Sequence, residues 1–267
     1  MKMITQRYLS ALAVTLIGWA TAGSSAHGQW GDLSGQFIYD GEAPKANAVV
    51  VTKDQEVCSK TPLADEALTV NPTNKGVSGI VLFLDVARGK KAPTPHPDYE
   101  ASKDAEIRID NLSCRYEPHV ALLRTSQTLV VGNKDSVGHN TKVDTVKNVP
   151  INPIIPAGQD IKQKFPQEER LPTKISCSIH PWMNAIIVIK DTPYMAATDA
   201  DGKFAIKNLP VGKWTFQVWQ EKAGYIDSAT VAGKKEKWSK GKFELEIKAG
   251  ENSMGEIKLD PATFSKK

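Results

Sequence analysis

Cys177-Ser178-Ile179-His180-Pro181-Trp182-Met183 places a thiol, an imidazole and a thioether three residues apart along the chain. Soft sulfur donors beside imidazole suit copper, and a His₂Cys set with a weak axial Met is a one-electron copper arrangement. The segment supplies one His, so a second must come from elsewhere. His139, in Ser136-Val137-Gly138-His139-Asn140, is the candidate because it follows an expected strand over residues 127–133. His139, Cys177, His180 and Met183 are therefore expected as the ligands of one copper ion. Residues three apart also share a helix face, so simple packing is the competing reading. Pro181 in the middle argues against a helix interior.

The set resembles the cupredoxins, and the Cys-x-x-His-Pro-aromatic-Met loop is most similar to amicyanin and pseudoazurin. The resemblance implies a first His beside an Asn at one strand end, then Cys, second His and Met on the loop between two later strands. Asn140 and Ser178 match that pattern. The implied centre is one type 1 (blue) copper, with Asn140 and Ser178 tying the two ligand segments together. Pro181 and Trp182 would form an apolar rim where a redox partner protein docks, electrons entering through an exposed edge of His180. The implied function is an exported carrier of single electrons, not an enzyme: such a centre is saturated by protein ligands. The His-x-His pairs of multicopper oxidases are missing. The competing functions are copper storage, or a non-redox β-sandwich that binds a glycan or a protein.

The chain has 267 residues, enough for one large or two small domains. Its 40% hydrophobic content is that of an ordinary globular protein. A formal charge of +4 is slight, and neither a recognition helix nor an aromatic–basic motif is present, so nucleic acid is not an expected partner. Lys2 and Arg7, the apolar run 8–20 and Ser24-Ser25-Ala26 predict a signal peptide over residues 1–26, with a mature start near His27. The run is too short to span a bilayer, and no later segment is long enough. No Cys stands at the cleavage site, so a lipid anchor is not expected. The predicted location is periplasmic or secreted.

Export changes the reading of the three cysteines, which should pair in an oxidising compartment. Cys58 and Cys114 in the first half are the natural disulfide, leaving Cys177 as a free thiolate. A bridge from Cys177 to either of them is the alternative, since connectivity is not deducible from sequence.

Short alternating or apolar runs predict strands at 33–39, 48–52, 79–86, 105–109, 116–123, 127–131, 141–144, 173–177 and 184–189. Residues 147–172, with five prolines, read as a long connection with an intermediate strand near Phe165. His96 lies in a proline-rich loop and is expected to be solvated. His119 is expected to be a strand residue bonded to backbone. No segment predicts an amphipathic helix.

From Thr192 onward the character changes. Asp201-Gly202-Lys203-Phe204 predicts a hairpin turn, and with Leu209-Pro210-Val211-Gly212 it resembles the carboxypeptidase regulatory-like β-sandwich repeat. Asp199 and Asp201 start like a calcium loop but lack its later ligand, so a turn is the preferred reading. Residues 234–242 read as a solvated, Lys-rich loop, with closing strands at 243–248 and 253–259. The predicted fold is all-β: a cupredoxin-like Greek-key β-sandwich at 27–192 plus a second, smaller β-sandwich module at 193–262. Leu33-Ser34-Gly35-Gln36-Phe37 through Pro44 also resembles the start of the second family, so residues 31–52 are candidates to complete that module around an inserted copper unit. Most of the mature chain is similar to exported bacterial proteins labelled methylamine-utilisation-like or plastocyanin-like, though no residue here supports methylamine chemistry.

Overall fold

The computed structural model describes residues 29–87 and 89–265; the expected signal peptide lies outside the described residues. Almost every element is a strand, the exceptions being a four-residue helix, Gln55–Cys58, and short 3₁₀ turns. The strands form four main sheets that stack as two sandwiches.

In the first sandwich, one sheet runs in the order Lys203–Pro210, Trp30–Tyr39, Gly250–Leu259, Ser228–Val231, Lys234–Lys237. The facing sheet contains Met195–Ala197, Val81–Leu84, Gly212–Gln220 and Gly224–Tyr225, with Lys242–Ile247 also paired to Gly212–Gln220. Leu33, Phe37, Leu82, Leu84, Phe216, Val218 and Ile257 fill the space between. In the second sandwich, the sheet Lys142–Val143, Thr173–Ser176, Asn184–Lys190, Val120–Arg124 faces the sheet Asp160–Gln163, Thr128–Asn133, Glu106–Leu112, Arg115–Glu117. Ile109, Leu123, Leu129, Val131, Ile175 and Ile187 form its core.

The two sandwiches share a third apolar layer. Successive strand side chains point to opposite faces. Leu82 and Leu84 therefore enter the first core, while Val81 and Phe83 turn outward onto Val188 of the second sandwich. This is why Val81–Leu84, within the expected 79–86 strand, is an unbroken apolar run: the strand is buried on both faces. Lys190 crosses the same layer, its ammonium 4.3 Å from the Phe83 ring centroid and donating to the Glu169 carbonyl at 2.7 Å.

The cores do not divide at residue 192. Val77, Ile80, Leu82 and Leu84 pack with residues 194–264. Trp30–Tyr39 lies parallel to Gly250–Leu259 and antiparallel to Lys203–Pro210, in the middle of the first sandwich. Trp30–Tyr39 and Val81–Leu84, both within the expected 27–192 unit, thus lie in the sheets of the first sandwich.

Two local expectations also change. Residues 48–52 make only an isolated bridge, Ala48 to Ala64; Val50 is exposed, and Val51 packs on the second core without joining a sheet. The Lys-rich run is not a loop: Lys234–Lys237 is an edge strand paired with Ser228–Val231. Ala232 and Gly233, both at positive φ, make the two-residue turn that a tight hairpin needs. Its exposed lysines and glutamate suit an edge that must resist further pairing. At the other hairpin, Gly202 has φ 76° and a Cβ there would sit 2.3 Å from the Phe37 carbonyl oxygen, so only glycine fits. The Asp199 carboxylate closes that turn by accepting from the N–H groups of Asp201 and Lys203.

Within 147–172, Glu169 is the organising residue. It is buried, and its carboxylate accepts from the N–H groups of Val146, Lys147 and Asn148 and from the Asn148 amide at 2.8–3.2 Å. Burial pushes its pKa up, but these donors outweigh burial and hold it below the ordinary value. Glu169→Ala is expected to cost about 2 kcal/mol by leaving these donors unpaired. The stabilisation is present at neutral pH and is lost as pH falls through the depressed folded value. Urea titrations of wild type and variant should therefore differ at pH 7 and converge in acid.

Candidate metal centre

Cys177 ends the strand Thr173–Ser176 and Met183 precedes the strand Asn184–Lys190, so the loop between them is short and fixed at both ends. The Cys177 N–H donates to the Met183 carbonyl at 3.2 Å, and the Met183 N–H to the His180 carbonyl at 2.9 Å. The His180 N–H points back at the Cys177 sulfur, 3.4 Å away. His139 and Asn140 form a two-residue strand paired with Ile154 and Ile155. The Tyr116 hydroxyl donates to the Asn140 carbonyl at 2.7 Å and fixes that strand in depth.

The Asn140 side chain joins the two segments. Its carbonyl oxygen accepts from the N–H groups of Ser178 at 2.8 Å and Ile179 at 3.1 Å and lies 3.4 Å from the Cys177 sulfur. The tie to Ser178 therefore runs mainly through that residue's backbone; its hydroxyl is 3.5 Å from the Asn140 nitrogen.

One donor atom each from His139, Cys177 and His180 lie within 4.8 Å of one another, and all three residues are buried. The two imidazole rings are 4.6 Å apart between centroids. Each ring is held at its far nitrogen by a carboxylate: His139 Nε2–H donates to Asp135 at 2.9 Å, and His180 Nε2–H to Asp54 at 2.8 Å. That leaves Nδ1 of both rings. His180 Nδ1 is 3.7 Å from the Cys177 sulfur, and His139 Nδ1 is buried with no hydrogen-bond partner in the protein. A buried, unpaired imidazole nitrogen beside a buried thiol fits a metal site, because such a nitrogen is otherwise costly. Met183 is buried in the same core as Cys177.

Electrostatics favour the ligating forms of Cys177 and His180, whereas in the metal-free protein His139 is held toward its protonated form. Burial pushes the Cys177 thiol up, but His139 and the surrounding N–H groups outweigh it and hold the thiol below its ordinary pKa. The thiolate is the form that binds metal. Burial pulls His139 down, yet Asp135 and Cys177 raise it above the ordinary histidine value. His180 is pulled down by burial, which Asp54 only partly offsets. Asp135 is desolvated, which raises it, but its bonds to His139 and to the N–H groups of Cys114 and Ser113 bring it below the ordinary value.

Cys58 and Cys114 form a disulfide, and Cys177 is free and buried. The alternative bridge from Cys177 is excluded. The rim is partly as expected: Pro181 is exposed, and Trp182 is half-buried with its ring 5.2 Å from that of His180. The Trp182 indole donates to the Cys114 carbonyl at 3.1 Å. The exposed His180 edge is corrected. His180 is 0% exposed because Asp54 covers its outer nitrogen.

Sequence reasoning missed both carboxylates. Asp135 stands four residues before His139, a usable signal; Asp54 had none. His119 is bonded not to backbone but to Glu221 of the first sandwich, at 2.7 Å. His96 is half-buried, edge-on to Trp30, and its Nδ1 accepts from the Asp98 N–H.

No protein-family model matches the sequence, and no curated protein matches it. Among solved structures, a purple cupredoxin from Nitrosopumilus maritimus is 28% identical, covering 33% of this chain and 100% of that one at a TM-score of 0.27. An amicyanin variant in its Cu(I) state is 17% identical, covering 32% and 82% at 0.29. A copper-containing nitrite reductase from Thermus scotoductus SA-01 is 23% identical, covering 39% of this chain at 0.29. This chain spans only 24% of that reductase. The donor geometry carries the reading that follows.

Proposed function

We propose that the protein is an exported carrier of single electrons, in which His139, Cys177 and His180, with Met183 as a weaker fourth donor, would hold one type 1 copper. The observation that supports this most directly is the buried thiol facing two imidazoles whose outer nitrogens are both tied down. Copper, when bound, supplies the exchangeable electron. The chain's part is to hold the donors still, so that little rearrangement accompanies a change of oxidation state. Asn140 fixes the loop, Asp135 and Asp54 fix the rings, and the surrounding core excludes water. All donors come from the protein, which leaves no place for a substrate and argues for a carrier over an enzyme. The disulfide supports an oxidising location such as a periplasm. No helix among the described residues is long and apolar enough to cross a membrane. A redox partner protein is implied by the carrier role. The first sandwich, with its carboxypeptidase regulatory-like hairpins, is read as a scaffold.

The test is the visible spectrum. Adding Cu(II) to the metal-free protein should give an intense blue or green colour that ascorbate bleaches. A colourless protein holding zinc in the same stoichiometry would overturn the proposal, since zinc has no redox chemistry.

Met183→Leu separates a carrier from a storage site. A weak axial ligand tunes more than it holds. The variant is expected to keep copper and colour, while its potential rises by roughly 60–120 mV, a tenfold to hundredfold shift toward Cu(I). Loss of copper on this change would favour storage, where the thioether matters most for Cu(I) affinity.

A further inference from the structure

The cover over His180 comes from a distant part of the chain. Residues 47–65 fold back on themselves, with the Val49 N–H donating to the Leu63 carbonyl and the Asp65 N–H to the Asn47 carbonyl. Asp54 lies at its tip with φ 49° and ψ 43°, in the left-handed region that Asp and Asn tolerate better than most residues. It opens the turn Gln55–Cys58, yet its side chain makes no capping bond there. An Asp in that position ordinarily caps the turn's free N–H groups. Here the carboxylate is turned away onto His180 Nε2, 2.8 Å distant, with Asp54 still one-third exposed.

Four residues on, Cys58 is bonded to Cys114. The Cys114 N–H donates to Asp135, the carboxylate that holds His139. One disulfide therefore links the supports of both imidazoles. With the Cys177 thiolate, three anionic groups surround the donor space.

We propose that Asp54 is a positioning residue that selects the copper oxidation state, an inference that rests on the copper reading above. It holds His180 as the Nε2–H tautomer, so that Nδ1 is presented to the metal. A carboxylate bonded to a ligating imidazole also raises its basicity. Its negative charge favours Cu(II), the more highly charged ion, and so lowers the potential.

Two variants test this, both compatible with the left-handed backbone. Asp54→Asn keeps an acceptor and removes the charge; Asp54→Gly removes the side chain and retains freedom at positive φ. In the copper-loaded protein, Asp54→Asn is expected to keep the charge-transfer band while shifting the balance about tenfold toward Cu(I), about 59 mV for one electron. Asp54→Gly should shift it at least as far. In the metal-free protein, nitrogen NMR should show His180 as a single Nε2–H tautomer in wild type and as a mixture in Asp54→Gly. Wild-type potentials in both variants, or an unchanged tautomer in Asp54→Gly, overturn the proposal. A wild-type protein that binds copper without the band overturns the carrier reading instead, and the tautomer measurement then decides the role of Asp54.

Discussion

Cys177→Ser is expected to abolish the intense visible band completely and to weaken copper binding by orders of magnitude, while the protein still folds. The band arises from charge transfer out of the thiolate, and serine's hydroxyl has no equivalent at neutral pH. The site around Cys177 is built for an anion: the N–H of His180 points at the sulfur from 3.4 Å, and the thiol is held below its ordinary pKa. Serine is nearly isosteric, and the Asn140 bonds to Ser178 and Ile179 do not depend on the sulfur. Folding should thus survive, which denaturation of the metal-free variant checks. A variant that keeps the wild-type colour would move the copper elsewhere and remove the proposed donor set.

The second large effect is on stability. Cys58 and Cys114 are 56 residues apart in sequence. Cross-linking a loop of that length removes chain entropy from the unfolded state worth about 4 kcal/mol. The double variant Cys58→Ala/Cys114→Ala should lose about that much in urea titration of the metal-free protein. Neither cysteine is among the proposed donors, so its copper-loaded form should keep the band. Colour lost with stability unchanged would reverse the roles assigned to the three cysteines.

Much of the site was legible because its signals are local. Cys177, His180 and Met183 sit on one tight loop, and His139 follows an expected strand, so residue type and spacing named these four; the cupredoxin resemblance added Asn140. The Asp54–His180 bond spans 126 residues and leaves no mark on local pattern. Some strands were recognised by alternation, as at residues 116–123, where Val120, Ala121, Leu122 and Leu123 alternate between half-buried and buried. Val81–Leu84 was recognised as buried, but not that its two faces serve different cores; an unbroken apolar run cannot say which partner lies on which side. The Lys234–Lys237 edge strand was hidden because every one of its side chains is exposed.

The position of Trp30–Tyr39 between Lys203–Pro210 and Gly250–Leu259 has a consequence for synthesis. A ribosome delivers residues 106–190 with all eight paired strands of the second sandwich before it has made either neighbour of the first described strand. During that interval Trp30–Tyr39 lacks its neighbouring strand on both sides, and its Leu33 and Phe37 have only part of their core, Leu82 and Leu84 among it. The metal-side half can therefore acquire its shape while the other half is still an open template; truncation before residue 203 leaves both edges of that template bare, and truncation between 211 and 249 leaves one.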